Sequence, residues 1–244
     1  MMRIGITGAE GFIGTAFRRY LTAIGETAVI CSRSAFEKPA EMFRFCGTCE
    51  AVVHFAGLSR HSDGEFLSNT NLRLTRALID GLKNSGSLAH VYLGSTTHEQ
   101  RDLPYHESKR RSRQMLESWA AETGNAYTTL LMPNTFGPYA RPFFNSVVST
   151  FCYQAAHAQT PERIDPAELK LIHVRTLCRE ILRIVRRNES GITAVEIPHE
   201  YEIRLDHLWE KLHQWQALTA TGKKPIPETP FETDLLEVFL SYCE

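Results

Sequence analysis

The chain has 244 residues, 43% of them hydrophobic, enough for one large domain, or one domain with a small lobe, around a packed core. Its 27 lysines and arginines against 28 aspartates and glutamates leave a formal net charge of −1, which gives no footing for a nucleic-acid or membrane-surface partner. No run approaches the roughly 18 apolar residues of a membrane span, and residues 1–6 lead straight into a strand without a cleavable leader, so a cytoplasmic protein is expected.

Residues 2–7 alternate apolar and small side chains and stop at Gly8, as a first buried strand does. Residues 15–24 carry Ala16, Phe17, Tyr20, Leu21 and Ile24 at helical spacing, and Gly25 closes that helix. Strands are expected at 27–31, 50–55, 90–93 and 128–132, and helices at 65–84 and 105–123. Alternating strands and helices predict an α/β fold, a Rossmann-type doubly wound parallel sheet covered on both faces. Beyond Pro133 the alternation fades. Residues 134–142 read as a loop, 143–157 and 174–187 as helices, 219–230 as a linker and 232–242 as a closing helix. The chain is thus expected to form one domain of two interleaved parts. Residues 1–133 mainly bind a dinucleotide, and residues 134–244 form a small substrate-binding lobe.

The six cysteines are scattered and expected to be free thiols in a reducing compartment. Cys46 and Cys49 form a CxxC, but a zinc site wants a second such pair, so chance spacing is the simpler reading and no metal is expected. The run from Lys109 to Arg113 reads as a solvated helix face. His54 reads as a packed strand-end residue and His173 as core, while His98 and His106 flank the candidate site.

Gly8-Ala9-Glu10-Gly11-Phe12-Ile13-Gly14 places three glycines between a strand and a helix. Glycine there allows the tight turn, lets backbone approach a pyrophosphate, and lets helix and strand pack closely; the helix N-terminus then faces the anion. Phe12 and Ile13 open that helix. Where the second strand ends, an acid would read the ribose 2′-hydroxyl of NAD, and an arginine can accept the 2′-phosphate of NADP. The chain has Cys31-Ser32-Arg33-Ser34 with no acid until Glu37, so Arg33 and Ser32 predict NADP(H).

Tyr105-His106-Glu107-Ser108-Lys109 is a YxxxK whose spacing puts both key side chains on one helical face. A free tyrosine titrates near pH 10; a neighbouring ammonium favours the phenolate and moves it toward the working range. Tyr105 can then give a proton to a carbonyl oxygen, while Lys109 also holds the nicotinamide ribose. Gly94-Ser95-Thr96-Thr97 follows a strand shortly before and offers a hydroxyl to the same oxygen. His54-Phe55-Ala56-Gly57 ends another strand where a cofactor crosses the sheet edge, so Phe55, Ala56 and Gly57 join the cofactor set.

Together these residues resemble the extended short-chain dehydrogenase/reductase family, whose members mostly act on nucleotide-activated sugars. The resemblance covers about residues 1–180. It implies Thr96 as the hydroxyl that assists Tyr105, Ser95 as second choice beside the substrate, and Asn71 as a bracing helix residue. Pro133-Asn134-Thr135-Phe136-Gly137-Pro138 is similar to the loop that flanks the nicotinamide and opens the substrate pocket. Pro104-Tyr105-His106-Glu107-Ser108-Lys109, Arg141-Pro142 and the run from Asn145 to Cys152 most resemble the reductase half of the capsule-pathway enzymes that make UDP-N-acetyl-L-fucosamine, without their cupin domain. That likeness implies NADPH-dependent reduction of a 4-keto group on a nucleotide-linked 6-deoxy-hexose. It places Arg141 and Asn145 on the diphosphate or sugar, and it implies a homodimer paired through helices 65–84 and 105–123. Thr97-His98 stands where sugar-nucleotide dehydratases carry Asp-Glu, so dehydration is not expected. Two other readings stay open: a nucleotide-sugar epimerase with tightly held NAD, and a non-catalytic dinucleotide-binding regulator.

Overall fold

Ile4 and Ile6 are buried, as are Val52 and Val53, as the interior strands of a parallel sheet require. In the computed structural model, which describes Met2–Cys243, these strands are β1 (Arg3–Thr7) and β3 (Ala51–His54). The remaining elements, in chain order, are α1 (Phe12–Ala23), β2 (Thr27–Ile30), a 3-10 turn (Arg33–Phe36), α2 (Pro39–Thr48), α3 (Gly64–Ser85), β4 (His90–Thr96), α4 (Pro104–Thr123) and β5 (Tyr127–Met132). They are followed by β6 (Asn134–Phe136), α5 (Val147–Ala156), β7 (Glu168–His173), α6 (Val174–Arg187), β8 (Ile192–Glu196), β9 (Tyr201–Arg204), α7 (Leu205–Ala220) and α8 (Pro230–Leu240).

The described residues form two compact units. One comprises the chain to Met132 together with Cys178–Ile197. Its six-stranded sheet runs β2-β1-β3-β4-β5-β8, with every neighbouring pair parallel. The chain steps from β1 outward to β2 and then returns across the sheet to β3. Right-handed crossovers therefore put α1 on one face and α2, α3 and α4 on the other. The strand order reverses between β1 and β3, and the carboxyl ends of those two strands border the crevice where doubly wound folds take ligands. Leu78, Leu82, Val91, Leu116, Trp119 and Tyr127 anchor the core under α3 and α4. Each such fully buried side chain contributes about 1.5–3 kcal/mol of apolar burial.

The other unit comprises Pro133–Leu177 and the chain from Pro198. Here the structure corrects the loop expected at 134–142, because its first residues form β6, which pairs in parallel with β7 while β9 pairs antiparallel on the far side. The cause is Phe136, fully buried against His173, Tyr201 and Phe231, whose packing outweighs the turn formers around it. The helix expected at 143–157 starts later, after Phe143 at φ 56° and the Ser146 cap on the Ser149 amide. The closing helix starts earlier, because Thr229 caps it and Pro230 opens it. Trp209 and Trp215 on α7 pack into this unit's core with Phe151, Leu235 and Phe239. Among the described residues, no helix is long and apolar enough to cross a membrane.

Candidate active site

Gly8, just past β1, has φ +68°, and a Cβ there would lie 2.6 Å from the Ala56 amide nitrogen. A Cβ at Gly14 would lie 2.1 Å from the Gly8 carbonyl oxygen. Both glycines are thus demanded by the chain's own packing: the first seats the turn on the end of β3, the second seats α1 on the turn. Gly11 differs. The one atom a Cβ there would meet is the Gly8 oxygen at 3.3 Å, so the chain's own packing presses on it far less than on Gly8 or Gly14. The N-terminus of α1 has no side-chain cap and no acid in its first turn. Its free N–H groups and positive dipole end therefore suit an anion, and the cradle fits a dinucleotide pyrophosphate. Phe12 and Ile13 are half-buried at the helix start, and Phe17 meets Phe55 edge to face at 6.0 Å.

After β2, Ser32 caps the 3-10 turn by accepting from the Ala35 amide at 3.2 Å. Arg33 is exposed, and its guanidinium pairs with Glu10 of the glycine turn at 3.0 Å. Glu41, on the first turn of α2, accepts from Ser34 at 2.6 Å and from Ser32 at 3.3 Å. Those hydroxyl bonds and Lys38 hold its carboxyl below the usual range. Glu41 lies beyond the stretch from Cys31 to Glu37 on which the NADP(H) expectation rests. Only the backward reach of α2 brings that acid to the serines.

Lys109 is buried on α4, 5.8 Å from the centre of the Tyr105 ring, and donates from Nζ to the Gly94 carbonyl at 2.8 Å. Thr96 ends β4 and accepts from the His98 amide at 3.1 Å through its hydroxyl oxygen. Lys109 thus faces Tyr105 on α4 and reaches the strand that Thr96 ends. The electrostatics differ from expectation. Burial first and Glu99 second push the Tyr105 phenol up to about 12, rather than Lys109 drawing it down. Burial also brings Lys109 down to about 8, against the pull of Glu99. An enclosed site favours neutral forms, so Tyr105 stands protonated at neutral pH, which suits a proton donor. His54 is held at about 3 by burial and the Lys109 charge, and its Nδ1 lies 2.7 Å from the Thr7 hydroxyl, so it packs and does not titrate near neutrality.

Asn71 fastens the parts together. Its amide nitrogen donates to the Leu58 carbonyl and the Ser108 hydroxyl at 2.9 Å each, and its oxygen accepts from the Leu58 amide at 2.6 Å. A Cβ at Gly57 would come within 3.1 Å of that oxygen. Ser95, by contrast, is buried, and its hydroxyl donates to the Glu99 carboxylate. Cys46 and Cys49 of the CxxC lie buried at the end of α2, with thiols raised to about 12 mainly by burial.

The second unit carries the remaining candidates. The Pro133 carbonyl accepts from the Thr135 hydroxyl at 3.1 Å, and Asn134 opens β6 with its side chain exposed. Arg141 lies over the Phe144 ring at 5.1 Å, and Asn145 follows, exposed, before α5. Tyr139 and Phe143, at φ 65° and 56°, hold this segment in the left-handed region that bulky residues rarely adopt.

A family model described as the NAD dependent epimerase/dehydratase family matches residues 4–203. UDP-2-acetamido-2,6-beta-L-arabino-hexul-4-ose reductase of Pseudomonas aeruginosa is 26% identical over 219 residues, covering 88% of this chain and 58% of that protein. The capsular polysaccharide assembling protein CapF of Staphylococcus aureus is 28% identical with a TM-score of 0.79, over all of this chain and 65% of that one. The chain thus spans less than two thirds of the length of both relatives. RMD of Pseudomonas aeruginosa, solved with NADPH, shares the fold at a TM-score of 0.82 and 19% identity, over 100% of this chain and 99% of that one.

Proposed function

This chain belongs to the NAD dependent epimerase/dehydratase family, and on that footing we propose that it is an NADPH-dependent reductase of the 4-keto group of a nucleotide-linked 6-deoxy-hexose. The observation that carries the reading is the placement of Lys109 against Tyr105 and against the Gly94 carbonyl, two residues before Thr96 on β4. The two relatives named above support the substrate class through their descriptions, a keto-sugar nucleotide reductase and a capsular polysaccharide protein.

NADPH, when bound, supplies the hydride that makes the carbonyl carbon an alcohol. Tyr105 delivers the proton to the ketone oxygen, Thr96 donates a hydrogen bond to the same oxygen, and the Lys109 ammonium stabilises the phenolate left behind. Gly8, Gly11, Phe12, Ile13 and Gly14 hold the pyrophosphate, with Phe55, Ala56, Gly57, Lys109 and Pro133 toward the nicotinamide side. Arg33 and Ser32 take the 2′-phosphate, which must displace Glu10 from Arg33. Asn134, Arg141 and Asn145 hold the sugar nucleotide. The same reading makes the protein a cytoplasmic homodimer in polysaccharide or deoxysugar synthesis, paired through α3 and α4; sedimentation showing only monomer at micromolar protein would exclude the dimer.

Purified protein mixed with NADPH and a panel of UDP- and dTDP-4-keto-6-deoxy sugars tests the reading. Stoichiometric NADPH loss with one donor is expected. One observation favours a second reading: the Glu41 carboxylate at the ribose turn suits the 2′-hydroxyl of NAD, as an epimerase needs. Co-purified NAD, with interconversion of UDP-sugars without added cofactor, would select it.

A further inference from the structure

Glu99 is a buried acid beside the proposed proton-transfer residues. Its Oε1 accepts a hydrogen bond from the Ser95 hydroxyl, and its Oε2 accepts from Arg113 Nη1 at 3.2 Å. Arg113 is itself fixed by Glu117 at 2.8 Å, while Arg110 donates to the Glu99 backbone carbonyl. The Glu99 amide returns to the Thr96 carbonyl at 3.2 Å, closing a tight turn right after β4. A carboxylate buried at this depth is retained only with such partners.

We propose that Glu99 is a positioning residue for ketone reduction: its carboxylate, fastened by Arg113, accepts the Ser95 hydroxyl hydrogen bond and leaves Thr96 as the strand-end hydroxyl that donates to the ketone oxygen. The proposal rests on the reductase reading above. A hydroxyl can donate one hydrogen bond, and that of Ser95 goes to Glu99. Thr96 uses its oxygen to accept from His98, which leaves its proton for a substrate. Adjacent strand residues point to opposite faces, so Ser95 turns toward Glu99 while Thr96 shares the face of Gly94, where the Phe55 ring packs.

The same carboxylate acts on charge. Lys109 is faced by Tyr105 from its own helix, by neutral His54 from β3, and by Glu99 from the turn. Glu99 is faced in turn by Arg113, with Glu117 behind it, and by the Tyr105 and Tyr127 phenols. Glu99 is therefore the carboxylate whose charge opposes the loss of the Lys109 proton by burial.

The test compares wild type, Glu99→Gln, Glu99→Asp and Arg113→Gln by the pH profile of kcat/KM, with NADPH and a UDP-4-keto-6-deoxy sugar. A ¹³C-lysine NMR titration of Lys109 in each protein gives a second readout that needs no turnover. Glu99→Gln should move the alkaline limb and the Lys109 midpoint down by roughly half a pH unit or more. Glu99→Asp should restore most of the wild-type position, and Arg113→Gln should move both readouts upward. Thr96→Val should lose about a hundredfold or more in kcat, and Ser95→Ala at least tenfold less than that. An unmoved limb and midpoint in folded Glu99→Gln, or a Ser95→Ala loss equal to that of Thr96→Val, would overturn the proposal. If Glu99→Gln fails to fold, the direction of the Arg113→Gln shift decides. If wild type reduces no ketone, the reductase reading fails, and the NMR midpoints still decide the charge role of Glu99.

Discussion

Lys109 reaches from α4 to the backbone of β4, donating to the Gly94 carbonyl at 2.8 Å only two residues before Thr96. One hydrogen bond therefore ties the helix of the proposed acid and its supporting ammonium to the strand of the assisting hydroxyl. Lys109 titrates at about 8, so the ammonium is present below that pH and lost above it. kcat/KM should hold through neutrality and fall as pH rises past about 8. Lys109→Met and Tyr105→Phe should each cost on the order of a hundredfold or more in kcat, the second with NADPH binding intact. A profile flat to pH 10 would remove Lys109 from the chemistry.

The glycines of the cradle should separate by role. A methyl group at position 14 meets the Gly8 carbonyl oxygen and carbon, at 2.1 Å and 2.8 Å, which are backbone atoms that cannot step aside. Gly14→Ala should lower unfolding free energy by about 1–3 kcal/mol as well as abolish cofactor binding. Gly11→Ala should keep its stability and lose cofactor affinity. Denaturant unfolding beside fluorescence titration with NADPH checks both.

Most of this site was legible because strand, glycines and helix are contiguous, and because YxxxK needs only one helical turn to meet. Glu41 and Glu99 were not legible, since each acts through a hydroxyl that only the folded chain brings near. Strand β8 is silent in the sequence for another reason: at the sheet edge its residues are alternately exposed and half-buried, so no apolar run marks it. The helix α2, with Pro39 at its start and Met42, Phe45 and Cys46 buried along one face, is short and expected by no strong periodicity, though its pattern is consistent with a helix.

Arg33 and Glu10 should act in opposite directions on cofactor choice. Arg33→Ala removes a charge-assisted contact to a 2′-phosphate and should weaken NADPH by about 1.5–3 kcal/mol, with little change for NADH. Glu10→Gln frees Arg33 and should tighten NADPH several-fold. Equal effects on both cofactors, measured by fluorescence titration, would remove the 2′-phosphate role.

Asn71 satisfies both polar groups of the Leu58 peptide region and the Ser108 hydroxyl from a buried position. Asn71→Ala leaves the Leu58 amide and carbonyl without partners and should cost about 1–3 kcal/mol of stability. Denaturant unfolding measures it, and a change below a few tenths of a kcal/mol would show that water replaces the brace.

The central claim concerns where the hydride goes. NADPH deuterated at the transferring position of the nicotinamide, supplied with a UDP-4-keto-6-deoxy sugar, should yield a product carrying deuterium at sugar C4, read by NMR and mass spectrometry. Product formed without deuterium at C4, with no NADPH consumed, would contradict the reductase account.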